Sequence, residues 1–417
     1  MKKFLLLGLA LVLLGSALFA DDAKVMPARL GRFYFAPSFS FAPGAYDKDG
    51  KLQKFDDGAV KVFNLGFATE VGVTDWITAA IQFAPGVTVW SDVSPAAPTG
   101  ITSLASLINP GLAGLETAEP FNGDLTVNGV ADIFLGAKLQ IVGETGPVKA
   151  NSIRFAAAPG LAIPLPGPDF SDEVDNALKG DKAKFSKMDN HVFGAGGRFY
   201  FDYKINDKFF INLYNETLFY PVKRDLDKDG PNLAILRETI LATAWDAGYW
   251  GAGGPGNPGV AEATGDGYRT SAKVLTDKLS GEVNYKYKLT FEIEPQFSTV
   301  LGGAFLFGAG LPINYVYTPE YKYTVDGIDD LLVGMASIAG GPLPINEKDV
   351  LEIAGFVGKA SHSLTIKPNV SVMLLKTPIP LEFKLQYGLP LYGQNNQAMH
   401  NVVFQFKLYF PLPGFQR

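Results

Sequence analysis

The chain has 417 residues, 47% of them hydrophobic, with 36 basic side chains against 42 acidic ones and no cysteine. The acidic excess argues against nucleic acid as a partner, and the missing cysteines exclude both a disulfide framework and a lipid-anchored cysteine. Charged residues make up only 19%, below the ~25% of ordinary soluble domains.

Met1 to Ala20, "MKKFLLLGLALVLLGSALFA", has the three-part layout of an export signal: Lys2 and Lys3, an apolar run from Phe4 to Leu14, then small residues. The run is shorter than the ~20 residues of a spanning helix. Cleavage is expected after Ala20. Loss of the two lysines leaves 34 basic against 42 acidic side chains, a net charge near −8. An exported chain of this size without disulfides suits a bacterial envelope. Residues 21–417 show no linker or composition break and read as a single domain.

From there the pattern is strand after strand. Period-two alternation predicts strands over Arg32–Phe41, Ala59–Val73, Ile77–Trp90, Gly129–Ile141, Ile153–Pro164, His191–Ile205, Phe209–Tyr220, Val283–Glu294, Ala304–Thr318, Ser361–Lys376, Leu381–Leu389 and Asn401–Phe410. "VNYKYKLTFEIE", from Val283, alternates without a break. In "NVVFQFKLYF", from Asn401, the residues Val402, Phe404, Phe406, Leu408 and Phe410 share one face. That face suits either a protein core or lipid.

The connections decide between the two. They run alternately long and short, with tight turns at "TDW", "NDK" and "KTPIP". In an antiparallel meander this puts tight turns at one end and large loops at the other. Membrane-crossing strands need ~9–11 residues, whereas strands of soluble proteins average about 5–6. Aromatics gather near strand ends: Trp76 and Tyr203 on the turn side, and Trp90, Tyr220, Tyr315, Tyr317 and Tyr392 on the loop side. The expected fold is all-β. It is a transmembrane up-and-down antiparallel barrel of about twelve strands, or fourteen if a loop hides a hairpin. Its partners are then outer-membrane lipid, the barrel-assembly machinery and small-molecule solutes.

With the apolar faces in lipid, the opposite faces supply the pore-lining candidates. These are Arg32, Glu70, Lys138, Arg154, Arg198, Asp202, Lys286, Lys288, Glu292, Glu294, Lys367, Glu382, Lys384 and Lys407. Charges on an inner wall need water or partners, and twelve strands enclose more than side chains fill in an eight-stranded barrel. A wet interior that passes solutes follows.

The long loops contain apolar stretches, Ile101–Glu116, Leu233–Trp245 and Ile328–Gly340. The second has helix-forming composition, with Leu233, Leu236, Ile240 and Ala244 on one stripe. They form either an apolar admission site for a hydrophobic solute, or a self-packed lid or a face against surface lipid. Pro37, Pro295 and Pro368 recur in "PSFS", "PQFS" and "PNVS", with Pro164, Pro312 and Pro390 nearer the loop ends. Bulges at strand ends are the expected use, a lateral opening the alternative. "DLDKDG", from Asp225, opens like a calcium loop but has Leu236 where a bidentate Glu belongs. "DKDG", from Asp47, reads as a surface turn. His191, His362 and His400 sit in no catalytic or metal motif. No metal, cofactor or enzymatic activity is expected.

The export signal, the hairpins around "VTDW" and "INDKFF", the segment "TPIPLEFKLQYGLPLYG" and the final strand together resemble bacterial outer-membrane channel proteins. Among these the chain is most similar to the long-chain fatty-acid transporter family and the barrels linked to phenol degradation. The resemblance implies a channel for passive diffusion of small solutes, hydrophobic ones among them. A non-transporting barrel, serving as surface adhesin or envelope structural protein, is the alternative. Two features depart from the family. Asp21–Gly31 is too short for its plug-like hatch, and Pro411 to Arg417 follow the usual terminal aromatic.

Overall fold

Strands that are apolar on one face and polar on the other must hide both backbone edges and the apolar face, and a closed barrel in lipid does both. The computed structural model describes residues 22–55, 58–91, 125–129, 132–165, 192–226, 232–339, 346–353, 356 and 358–412. Twelve antiparallel staves form one closed ring. They are β1 (Leu30–Ala42), β2 (Val60–Thr74), β3 (Ile77–Ser91), β4 (Ile133–Val142), β5 (Ile153–Ile163), β6 (Gly194–Lys204), β7 (Phe209–Tyr220) and β8 (Lys286–Leu301), followed by four more. Those are β9 (Phe305–Gly310 and Ile313–Thr318), β10 (Ser361–Ile366 and Asn369–Leu374), β11 (Leu381–Gln394) and β12 (His400–Pro411). β1 pairs with both β2 and β12, which closes the ring. Leu125–Gly129 extends β4 at the loop end, beside β3.

The register puts every second side chain outside. Phe35 lies opposite Phe406 and Phe67, and the Phe35–Phe67 and Phe67–Phe83 rings are 5.3 and 5.9 Å apart, an aromatic ladder on the lipid face. Val402 and Phe404 face outward and are exposed, while Val403, Gln405 and Lys407 are buried inside. Trp76 and Tyr203 are exposed at the turn end, as the girdle pattern predicts, and Tyr392 is exposed at the loop end. Tyr220 is a correction: its even register puts it on the inner face with Leu218, where it is buried.

The turns follow from their polar residues. Asn206 Oδ1 accepts the N–H groups of Lys208 and Phe209, both at 2.9 Å, and Thr74 Oγ1 accepts that of Trp76. Beside it a hydrogen bond from Lys204, and its charge, hold the exposed Asp207 carboxyl below the usual range.

Two expected strands are broken. Pro312 splits β9 and Pro368 splits β10, in mid-stave rather than at strand ends, because neither offers an N–H to the ladder. The wall stays joined by carbonyls. The Pro295 oxygen accepts from Leu311 N at 3.0 Å, that of Pro312 from Lys367 N at 2.7 Å, and that of Pro368 from Tyr387 N at 3.0 Å. The predicted strand from Val283 is also divided. Lys286 takes a left-handed φ of 62°, and Ser280–Asn284 pairs instead in a small rim sheet with Arg224–Asp225 and Lys322–Asp326.

The loops fold into a cap carrying α1 (Asn232–Gly251), α2 (Pro258–Thr276), α3 (Ile328–Ala339) and α4 (Glu347–Ile353). The predicted stripe of Leu233, Leu236, Ile240 and Ala244 is almost wholly buried. It packs with Ile328, Leu331 and Met335 of α3, Val350 of α4 and Tyr285, and the same cluster reaches Phe134, Leu218 and Tyr220 on the inner wall. The Asp47 turn spends its carboxylate on itself, accepting from the N–H groups of Asp49 and Lys51 and from Gln53. The signal segment, Ile101–Glu116, His191, most of "DLDKDG" and the last five residues lie outside the described residues. Of the C-terminal tail, Pro411 continues the pairing with β1, and Leu412 N donates to Arg29 O.

Candidate channel lumen

Eight residues, Asp22–Arg29, enter the turn end of the barrel ahead of β1. Eight extended residues reach up to roughly 3.3 Å each, enough to cross the lumen, so the segment expected to be too short for a plug nevertheless fills part of it. Wall side chains hold its backbone. Asp202 accepts the Ala23 N–H at 3.0 Å with both oxygens, and Thr78 Oγ1 accepts that of Met26 at 2.7 Å. Lys138 Nζ donates to Asp22 O at 2.8 Å while lying 4.0 Å over the Tyr200 ring, and Gln140 Nε2 donates to Ala23 O at 3.0 Å. Ala23 is fully buried. Gly72 makes room for the segment: a Cβ there would lie 2.7 Å from Met26 O and nearer still to Pro27 O.

The remaining wall is a network of paired charges, the arrangement that offsets their desolvation. Arg32 binds Glu70 at 2.5 Å, with the Tyr34 hydroxyl donating to the same carboxylate. Arg198 binds Glu216 at 2.5 Å, donates to Gln82 at 2.9 Å and sits 3.7 Å over the Phe134 ring. Lys367 meets Glu292 at 3.3 Å, beside the Asn314 amide. Lys407 meets Glu382 at 3.1 Å, and Tyr409 donates to that carboxylate. Arg154 bridges Glu144 and Asp202.

Twelve of the fourteen sequence candidates thus sit at inward positions of their staves, and Lys367, in the break of β10, is buried too. Lys288 and Glu294 are buried there, and Glu294 accepts from the Asn369 amide at 3.0 Å. Lys286 stands apart, exposed at the loop end where the backbone turns left-handed. Sequence reasoning missed Glu216, though it shares the even face of β7 with Asn212 and Tyr214 and period two points to it. It also missed Tyr34, Tyr200 and Tyr214, since it followed charges and not phenols. The binding role of Asp22–Arg29 has no local signal, because its partners lie on four different staves.

Between the N-terminal segment and the opposite wall lies a cavity of about 440 Å³. Met26, Phe210, Leu306 and Met373 supply its apolar side, and Arg32, Glu294, Glu382, Lys384 and Lys407 its charged side. Among the described residues no cluster of His, Cys, Asp or Glu is arranged to hold a metal ion.

No family model matches the chain, and no curated protein does. Solved structures do. An outer-membrane channel from Pseudomonas putida F1 superposes with a TM-score of 0.52 at 12% identity, covering 94% of this chain and 99% of that one. A toluene transporter from Ralstonia pickettii (TM-score 0.34, 10% identity, 92% and 90% covered) and a Pseudomonas aeruginosa FadL homologue (0.33, 8%, 95% and 96%) match less well, too weakly to bear on the argument. The likeness to the P. putida channel covers nearly the whole of both chains and is one of fold: this chain is a closed twelve-stranded antiparallel barrel.

Proposed function

We propose that the protein is an outer-membrane channel for passive diffusion of small solutes, hydrophobic ones among them, and not an enzyme. The observation that carries this reading is the cavity of about 440 Å³ left between the inserted N-terminal segment and a wall of paired charges. An adhesin or structural barrel has no need of an internal space. The hydrophobic preference is supported by the cap, whose buried core runs on to Phe134, Leu218 and Tyr220 of the inner wall. The cap thus places apolar side chains at the loop end of the barrel, above the charged zone. In this reading the fourteen charged candidates line the path, Lys286 at its outer rim. Met1–Ala20 directs export and is cleaved, residues 21–417 form one barrel domain, and the barrel-assembly machinery inserts it.

Reconstitution in planar bilayers tests the channel. Steady single-channel currents are expected from the heat-modifiable, folded protein. A silent bilayer containing folded protein contradicts the proposal and favours adhesion.

A further inference from the structure

Two polar side chains stand on the lipid face of the barrel at its loop end. Phe41 of β1 pairs in register with Lys61 of β2 on one side and with His400 of β12 on the other, so the three form one row. All three point outward, because Ala42, Val60, Val62 and Val403 hold the buried inner positions of the same staves. Toward the turn end the face is apolar, with Phe39, Leu385, Val402 and Phe404 exposed.

The His400 ring is held from two sides. It stacks on Phe41 at 4.8 Å with 8° between the planes, and its Nδ1 lies 2.8 Å from the Tyr387 hydroxyl. A hydroxyl that donates to Nδ1 leaves the ring proton on Nε2, and Nε2 makes no hydrogen bond with any described residue. His362 repeats the arrangement on β10, with Nδ1 2.5 Å from the Tyr315 hydroxyl and the Tyr317 ring 4.9 Å away.

A bare N–H donor and an ammonium both cost free energy on a lipid face, less so near the interface. Anionic headgroups at that depth supply the missing acceptors. Lys61 and His400 are two inter-strand spacings apart, about 10 Å. Groups spread that far match a headgroup carrying two phosphates on linked sugars better than the single phosphate of a phospholipid. The apolar face beside them suits the acyl chains of the same molecule.

We propose that this row is a binding site for a phosphorylated glycolipid of the outer leaflet. Lys61 pairs with one phosphate, His400 Nε2 donates to the other, and Phe41 and Tyr387 fix the imidazole. The acyl chains lie along Phe39, Val402 and Phe404. The outer-leaflet setting rests on the outer-membrane reading above; the headgroup preference does not.

The test is native mass spectrometry of the detergent-purified, folded full-length barrel with diphosphorylated lipid A, phosphatidylglycerol and phosphatidylethanolamine. Lipid A is expected to be retained best. His400→Phe, which keeps the stack on Phe41, should weaken its retention by about tenfold, the scale of one charge-assisted hydrogen bond, and Lys61→Met with His400→Phe should weaken it further. Both side chains face outward, so the variants should fold, which heat-modifiable migration checks. Lys223→Met, at an exposed lysine of the same end, should change nothing. Equal retention of the three lipids overturns the proposal, as does a lipid A preference that survives the double substitution. Best retention of phosphatidylglycerol, or an equal loss in Lys223→Met, also overturns it by reducing the site to diffuse charge. A silent planar bilayer with the lipid A preference intact removes the channel reading and leaves the site.

Discussion

Arg198 and Glu216 show how single residues keep a wide barrel in one shape. The pair is buried at the wall, with Phe134 under the guanidinium and Tyr214 donating to the carboxylate at 3.0 Å. Removing one member leaves the other charged and dry, which costs about 3–5 kcal/mol. Glu216→Ala should therefore lower the urea midpoint of the detergent-folded barrel well beyond the effect of an exposed control such as Glu262→Ala, monitored by tryptophan fluorescence. Gly72 works by absence: only a residue without Cβ lets Met26 and Pro27 press against β2. Gly72→Val should expel the N-terminal segment while leaving the outer face of β2 unchanged. Single-channel conductance of that variant should rise several-fold. An unchanged conductance would show that Asp22–Arg29 does not restrict the path.

Among the elements, the cap depends on α1 and α3 burying one core, with Leu236 and Met335 at 0 and 2% exposure. A charge at either position is incompatible with that core. Leu236→Asp should expose the loops to limited proteolysis between β7 and β8 while the barrel itself stays protease-resistant and heat-modifiable. Most strands were legible in the sequence because lipid outside and water or polar partners inside impose opposite demands on alternate residues. Phe209–Tyr220 matches to the residue. The helical stripe of α1 was readable for the same reason, at period 3.6. The breaks at Pro312 and Pro368 were visible as prolines, but their place in mid-stave depends on pairing with neighbours far along the chain. Lys286 kept perfect alternation and still stands exposed at the rim as the first residue of β8, since a single left-handed residue redirects the backbone without altering the pattern. The lumen was half legible. Charges marked the inner face, but which of them are spent on partners, and that Lys384 is not, emerges only once β10, β11 and β12 stand side by side.

At the scale of the whole molecule, two insertions narrow one closed ring. The cap covers the loop end with an apolar core, and Asp22–Arg29 occupies part of the turn end. Beside that segment, toward the opposite wall, remains a chamber with an apolar side and a charged side rather than an open aqueous pore. Large hydrophilic solutes should be excluded, and small ones with apolar surface should pass. The most direct test is the initial uptake rate of a small radiolabelled hydrophobic compound by cells with and without the protein in the outer membrane. Uptake should be faster with the wild-type protein and change further in the Gly72→Val variant. Equal rates with and without a folded, membrane-inserted barrel would contradict it.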